Sequence, residues 1–227
     1  MINNNVVERT SNFDFLGLVI NETLSWNNHV DKVSNKISKY VGILCRLRHY
    51  LPPNIMRMIY CSMVQTHLNF SLLAWGFQTN RIYKLQKKIV RILCDAKYNA
   101  HTEPLFKSLS LLKIEDMFKM CCLEFYYKHC NGMLPPYFQA FNFDRQSDRH
   151  SYNTRHNSRL VVNPVRTQLA KRCVRHEVIS VVNSTEKIIL DKIHTHSAQG
   201  FKNYIKKYYL DKYSYACMLP NCYICHQ

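Results

Sequence analysis

The stretch FDFLGLVINETLSW, residues 13–26, decides how the rest of the chain is read. Phe15, Leu16, Leu18, Val19 and Ile20 form a short apolar run that reads as one buried strand. A single strand has nothing to pair with here, and an unpaired strand is not stable by itself. From Trp26 onward the spacing turns helical, with Val30, Val33, Ile37, Tyr40, Val41, Leu44 and Leu47 at steps of three and four. A core strand without neighbours, leading straight into an amphipathic helix, is the pattern expected of a piece of a larger polypeptide.

The helical pattern continues outward. Ser25 is placed to cap the first helix, and Pro52-Pro53 ends it while Pro53 opens the next. The second carries Ile55, Met56, Ile59, Tyr60, Met63, Val64 and His67 and runs into LLAWG, so two antiparallel helices are expected. A third, RIYKLQKKIVRIL, has Asn80 at its start and Ile82, Leu85, Ile89 and Ile92 on one face. One residue away, about 100° around the axis, lie Arg81, Lys84, Lys88 and Arg91, with Lys87 alongside. Lys84 and Lys88 have no acid at i±3 or i±4, and only Asp95 is within reach of Arg91, so a cationic ridge borders the buried stripe.

Thr102 precedes another short helix, and residues 114–131 form a longer one closed by Gly132. Beyond LPPYF the chain turns polar over residues 141–163, with RLVV and residues 165–174 as candidate strands. Helices are expected over 185–194 and 198–213, the latter capped by Ser197 and carrying Lys202, Lys206, Lys207 and Lys212. The fold expected is mainly α, a helical bundle preceded by a short strand and followed by a mixed α/β segment. The divisions fall at 1–25, 26–140 and 141–227.

The chain has 227 residues, 47% of them hydrophobic, enough for one or two domains with a core. Its charge of +16 is unevenly placed. Residues 1–40 carry four basic and four acidic side chains, residues 41–130 carry 13 and five, and residues 131–227 carry 14 and six. A basic surface that begins after the first strand suggests a polyanion, nucleic acid ahead of a membrane. No segment approaches the roughly 18 apolar residues that cross a bilayer, and the N-terminus lacks a signal layout. An intracellular protein with no membrane partner is expected. Of the ten cysteines, Cys45, Cys61, Cys94 and Cys121 fall on or beside apolar helical faces, where reduced thiols act as small hydrophobes.

Several motifs, in order, resemble the C-terminal part of the reverse transcriptases of non-LTR retrotransposons, the jockey-like LINE type. They are Phe15-Leu16-Gly17 and Trp26, LRHYLP from Leu47, Trp75-Gly76, LQKKIVRI from Leu85, HTEPLF from His101, LPPYF from Leu134 and YNTR from Tyr152. The resemblance implies that Phe15, Leu16 and Gly17 lie at the last strand of the palm and help seat the primer end. The helices after Trp26 would be the thumb, gripping template RNA and DNA primer, and the rest a connector. It also implies an upstream palm and fingers as partners, Mg²⁺ for the intact parent polymerase, and a nuclear or cytoplasmic ribonucleoprotein setting.

The chain departs from that family twice. A polymerase needs paired carboxylates holding two metal ions about 4 Å apart, and no Asp-Asp pair exists here. Near the end of the connector the family shows a Trp-Asn pair, whereas this chain has Val182-Asn183. Catalytic residues are therefore expected to be absent.

Other chemistry is weaker. Glu115-Asp116 is the one adjacent carboxylate pair and reads as a helix first turn, where acids complement the dipole. Cys217, Cys222, Cys225 and His226 offer four zinc donors, but Cys225 and His226 are adjacent and no second separated pair accompanies them. No glycine-rich turn presents a cysteine nucleophile. His67 reads as a satisfied histidine near a helix interface, and Tyr204, Tyr208 and Tyr209, among lysines, are the best candidates for stacking on bases. The leading function is thus nucleic-acid contact through Arg81, Lys84, Lys87, Lys88, Arg91, Lys202, Lys206 and Lys207. The alternatives are a domesticated helical adaptor that binds another protein, and a transposon relic without function.

Overall fold

The computed structural model describes residues 9–149, 152 and 157–214. The chain is mainly helical, with one short two-stranded antiparallel sheet among the described residues. It divides into two compact units, residues 1–71 with 78–96, and residues 72–77 with 97–227. These bounds differ from the divisions expected at 25 and 140, because the first strands pack on a helix and belong to its unit.

The first unit opens with a correction to the lone strand. Residues 12–21 form a hairpin, β1 (Asn12–Phe15) antiparallel to β2 (Leu18–Asn21), with Phe15 opposite Leu18 and Asn12 opposite Asn21. The polar SNFD segment, too weakly apolar to read as a strand, supplies the partner. Leu16 and Gly17 make the turn with φ of +49° and +88°, the paired positive values of a tight hairpin turn that twists with its strands. Glycine takes such a φ freely; leucine does so against its Cβ.

Three helical segments complete this unit. Helix α1 (Asn27–Leu47) buries Val30, Val33, Ile37, Val41 and Leu44, as the spacing predicts. Ser25 does not cap it; its backbone N–H and hydroxyl are taken by the Asn21 side chain at 2.7 Å each. Helix α2 (Pro53–Ile59) continues through a π turn, Tyr60–Val64, into α3 (Gln65–Asn69), burying Met56, Tyr60, Val64 and Leu68. Between the units' segments comes α4 (Leu72–Trp75), which belongs to the second unit. Helix α5 (Asn80–Leu93) returns to the first, burying Ile82, Gln86, Ile89, Val90, Ile92 and Leu93. Asn80 is its first residue and Thr79 holds the cap position. Asp31 pairs with Arg81 at the starts of α1 and α5, and Arg48 with Asp95 at 3.5 Å near their ends, so the two helices run parallel. The Tyr60 hydroxyl accepts from the Gln86 amide at 2.9 Å inside the bundle, and burial pushes its pKa up.

The second unit is built on α7 (Ile114–Cys130), preceded by α6 (Thr102–Ser108). Gly132, at φ +66°, ends α7, where its N–H and that of Met133 return to the carbonyls of His129 and Lys128. Trp75 is fully buried, and a Cβ at Gly76 would lie 2.3 Å from the Phe118 ring, so α4 meets α7 only through glycine. Short helices α8 (Pro136–Gln139) and α9 (Gln168–Lys171) precede α10 (Val174–Ser184), α11 (Lys187–Leu190) and α12 (Ala198–Asp211).

The strands expected after residue 158 do not form a sheet. The only described pairing there is one bridge, Arg145 with Leu160. Thr167 caps α9 by accepting from Ala170 N–H at 3.2 Å. Beyond the expected strands, a β-branched run with no expected element lies on α10, whose Val178, Ile179, Val181 and Val182 are buried where it packs on α7. Tertiary packing overrides strand propensity there. Among the described residues no helix is long and apolar enough to cross a membrane.

Candidate nucleic-acid interface

The cationic ridge on α5 follows from its pattern. Burying Ile82, Ile89 and their neighbours turns Lys84 and Lys88 fully outward, both exposed and without an ion-pair partner among the described residues. The remaining members are engaged to different degrees. Arg81 pairs with Asp31, and the Lys87 ammonium lies 4.4 Å from the centroid of the Tyr83 ring. Arg91 is half-buried, and burial lowers its pKa. Asp95, expected to reach Arg91, pairs with Arg48 instead.

Phe15, Leu16 and Gly17, expected to seat a primer end, lie in the same unit, on the hairpin. Leu16 is 79% exposed and Phe15 52% exposed, and the Phe13 and Phe15 rings stack at 6.4 Å. The hairpin is fastened to α1 by polar contacts. Val19 N–H donates to His29 Nδ1 at 3.3 Å, and Lys32 pairs with Asp14 and donates to the Gly17 carbonyl at 3.3 Å. Burial, then the charges of Lys32 and Lys36, hold the His29 pKa below its ordinary value, against the opposing pull of Asp14. His67 is satisfied as expected, stacked on Tyr40 with Nε2 3.1 Å from its hydroxyl.

In the second unit the basic side chains of α12 and the turn after it divide, two in ion pairs and two, Lys206 and Lys207, without an ion-pair partner among the described residues. Lys202 pairs with Glu124 at 3.1 Å and Lys212 with Glu186 at 2.9 Å. Lys206 and Lys207 line a shallow cleft with Lys107 and Asp211. Tyr209 is buried rather than a stacking platform, Tyr208 donates to Glu186 at 2.6 Å, and Tyr204 lies against His196. Among the described residues the most exposed aromatic rings are elsewhere, Tyr50 at 83% and Tyr98 at 90%, beside turns whose polar pattern gives no helical face to read.

The Glu115-Asp116 pair does not fit a metal pair. Glu115 is exposed, whereas Asp116 accepts from the Tyr213 hydroxyl at 2.5 Å and faces Lys119 at 3.3 Å. Among the described residues no group of three His, Cys, Asp or Glu could hold an ion, and the candidate zinc residues Cys217, Cys222, Cys225 and His226 lie outside them. The described cysteines are reduced. Cys45 is exposed, contrary to its expected core position, because it lies one step past the buried Leu44. Burial pushes the Cys121 thiol up to about 11. The chain matches no known family model, no curated protein and no solved structure.

Proposed function

We propose that this chain is the duplex-gripping part of a retrotransposon-type, RNA-directed DNA polymerase, and that α5 contacts template RNA and DNA primer through their phosphates. The observation that carries this reading is Lys84 and Lys88, exposed and without acidic partners among the described residues, on a helix whose other face is core. Exposed cations in a row on one helix face can replace the counterions condensed on a polyanion, and their release favours binding. From Arg81 to Arg91 the helix rises about 15 Å, the axial length of on the order of four phosphates along one strand. The contact reads backbone and A-form shape, not base sequence. The exposed Leu16 turn, held at a costly φ, is a fitting place for contact with the primer end.

The role is positional. This chain binds and orients a duplex; with Asp116 committed to Tyr213 and Lys119, the Glu115-Asp116 pair is not offered as paired Mg²⁺ ligands. The upstream palm and fingers would bring those, in a nuclear or cytoplasmic ribonucleoprotein. Changing Lys84, Lys87, Lys88 and Arg91 together to Gln should weaken binding to an RNA–DNA hybrid by at least about tenfold at moderate salt, equally for unrelated sequences. Anisotropy with two such duplexes reads the loss directly, and unchanged affinity would remove α5 from the interface.

A protein-binding adaptor draws on a different feature, the exposed Phe13, Phe15 and Leu16 of the hairpin. It requires a stable oligomer or partner complex and RNA binding that salt leaves unchanged.

A further inference from the structure

We infer a second binding site, for a nucleotide unit, in a cleft of about 560 Å³ within the second unit. The size falls in the roughly 300–1,000 Å³ range of small-ligand pockets. Its lining mixes an apolar strip along the floor, with Leu160 and Ile193 buried and Leu190 half-buried, and polar groups such as Thr185 and His194, and its rim carries Arg145, Arg159 and Lys187.

The floor is held on two sides. The Asn183 side chain accepts from Leu160 N–H at 2.8 Å and donates to the Leu160 carbonyl at 2.9 Å. On the opposite edge Gln146 N–H donates to the Arg159 carbonyl at 2.9 Å, and Val161 N–H to the Asp144 carbonyl at 2.8 Å. Arg145 and Leu160 stand directly opposite in this bridge, and opposed residues of an antiparallel pair share a face. An extended segment clamped between an amide side chain and a short ladder gives a fixed platform without a sheet. It also assigns a task to Asn183, whose side chain substitutes for a strand neighbour.

The rim is out of balance. Asp191 is the only acid that lines the cleft, and Arg159 and Lys187 have no ion-pair partner among the described residues. An inorganic anion would use the cations and leave the apolar floor wet. An uncharged apolar ligand would use the floor and leave the cations unanswered. A phosphate monoester bearing a flat organic group satisfies both, which describes a nucleotide, free or at the end of a single strand.

The site is independent of the α5 ridge, so it is tested in the full chain with Lys84, Lys87, Lys88 and Arg91 changed to Gln. Calorimetric titration with adenosine 5′-monophosphate should give an affinity at least about tenfold above that of adenosine or inorganic phosphate. Adding Arg159→Gln and Lys187→Gln, both exposed positions whose thermal unfolding should match the parent, should reduce it by about tenfold or more. A 5′-phosphorylated RNA tetranucleotide that binds tighter than the free monophosphate assigns the site to single strands, and equal affinities assign it to free nucleotide. Inorganic phosphate binding as well as the monophosphate, no heat with any of them, or an unaffected double variant would each overturn the site.

Discussion

Helices α5 and α12 are each 14 residues long, each carries a row of basic side chains, and the molecule treats them differently. On α5, Lys84 and Lys88 stand without ion-pair partners among the described residues. On α12 and the turn after it, Lys202 and Lys212 close onto Glu124 and Glu186, and Tyr213 closes onto Asp116. Sequence spacing within a helix detects only partners at i±3 and i±4. Glu124 and Glu186 come from other elements, so Lys202 and Lys212 look open in the sequence and are engaged in the fold. Lys206 and Lys207, by contrast, have no ion-pair partner among the described residues. Basic composition alone does not separate an offered charge from one already used.

The contrast breaks most severely at the anchor of α12. Asp116→Ala should destabilise the second unit by about 1–3 kcal/mol, since the buried Tyr213 hydroxyl loses its carboxylate acceptor while staying in place. Denaturant unfolding measures this, and hydrogen exchange should place the loss in α12, not α5. The two units should also answer acid in different windows. His29 is buried neutral, with its pKa depressed, so the stability it gives is full above about pH 6.5 and falls as pH drops through its folded value. Each unit of depression is worth about 1.4 kcal/mol. Protonation also turns the Nδ1 acceptor into a donor facing Val19 N–H, so exchange of that amide should quicken first.

In the second unit, Glu103 is held below its ordinary range by the hydrogen bond from Lys113. Its contribution is present above about pH 4.5 and goes only as pH falls through the lowered value. A melt at pH 5.5 should therefore loosen the hairpin and leave α12 in place. A smaller effect lies at the turn. Leu16→Asn suits the positive φ and should stabilise the first unit by roughly 0.5–1 kcal/mol, with no change in the second. The smallest effect sharpens the comparison itself. Glu124→Gln and Glu186→Gln should free Lys202 and Lys212 and raise RNA affinity by about twofold to threefold, in keeping with exposed pairs worth under about 1 kcal/mol.

Much of the first unit could be read from the sequence because its helices carry clean spacing. The buried stripe of α1 matches the prediction at Val30, Val33, Ile37, Val41 and Leu44. The hairpin was half-legible: VI in β2 is apolar, but its partner NFDF puts Phe13 and Phe15 on an exposed face and gives no burial signal. In the second unit, α10 reads as no element in the sequence, because the β-branched Val178, Ile179, Val181 and Val182 give no clean helical spacing until α7 supplies a surface to pack on. Candidate site residues fared similarly. Lys84 and Lys88 were correctly unpaired because their lack of partners is local, whereas the links from Lys202 to Glu124 and from Asp116 to Tyr213 span 78 and 97 residues and leave no trace in spacing. The nucleotide cleft depends on Asn183 meeting Leu160 across 23 residues, a pairing that no motif encodes.

The salt dependence of hybrid-duplex binding tests the account most directly, measured on the wild-type chain and on two variants. One changes Lys84, Lys87, Lys88 and Arg91 to Gln; the other changes Lys202, Lys206 and Lys207 to Gln. The prediction is a slope of log affinity against log salt that shrinks by about two to four units in the α5 variant, and by about one or less in the α12 variant. Equal slopes in all three proteins, or a larger loss from α12 than from α5, would contradict it.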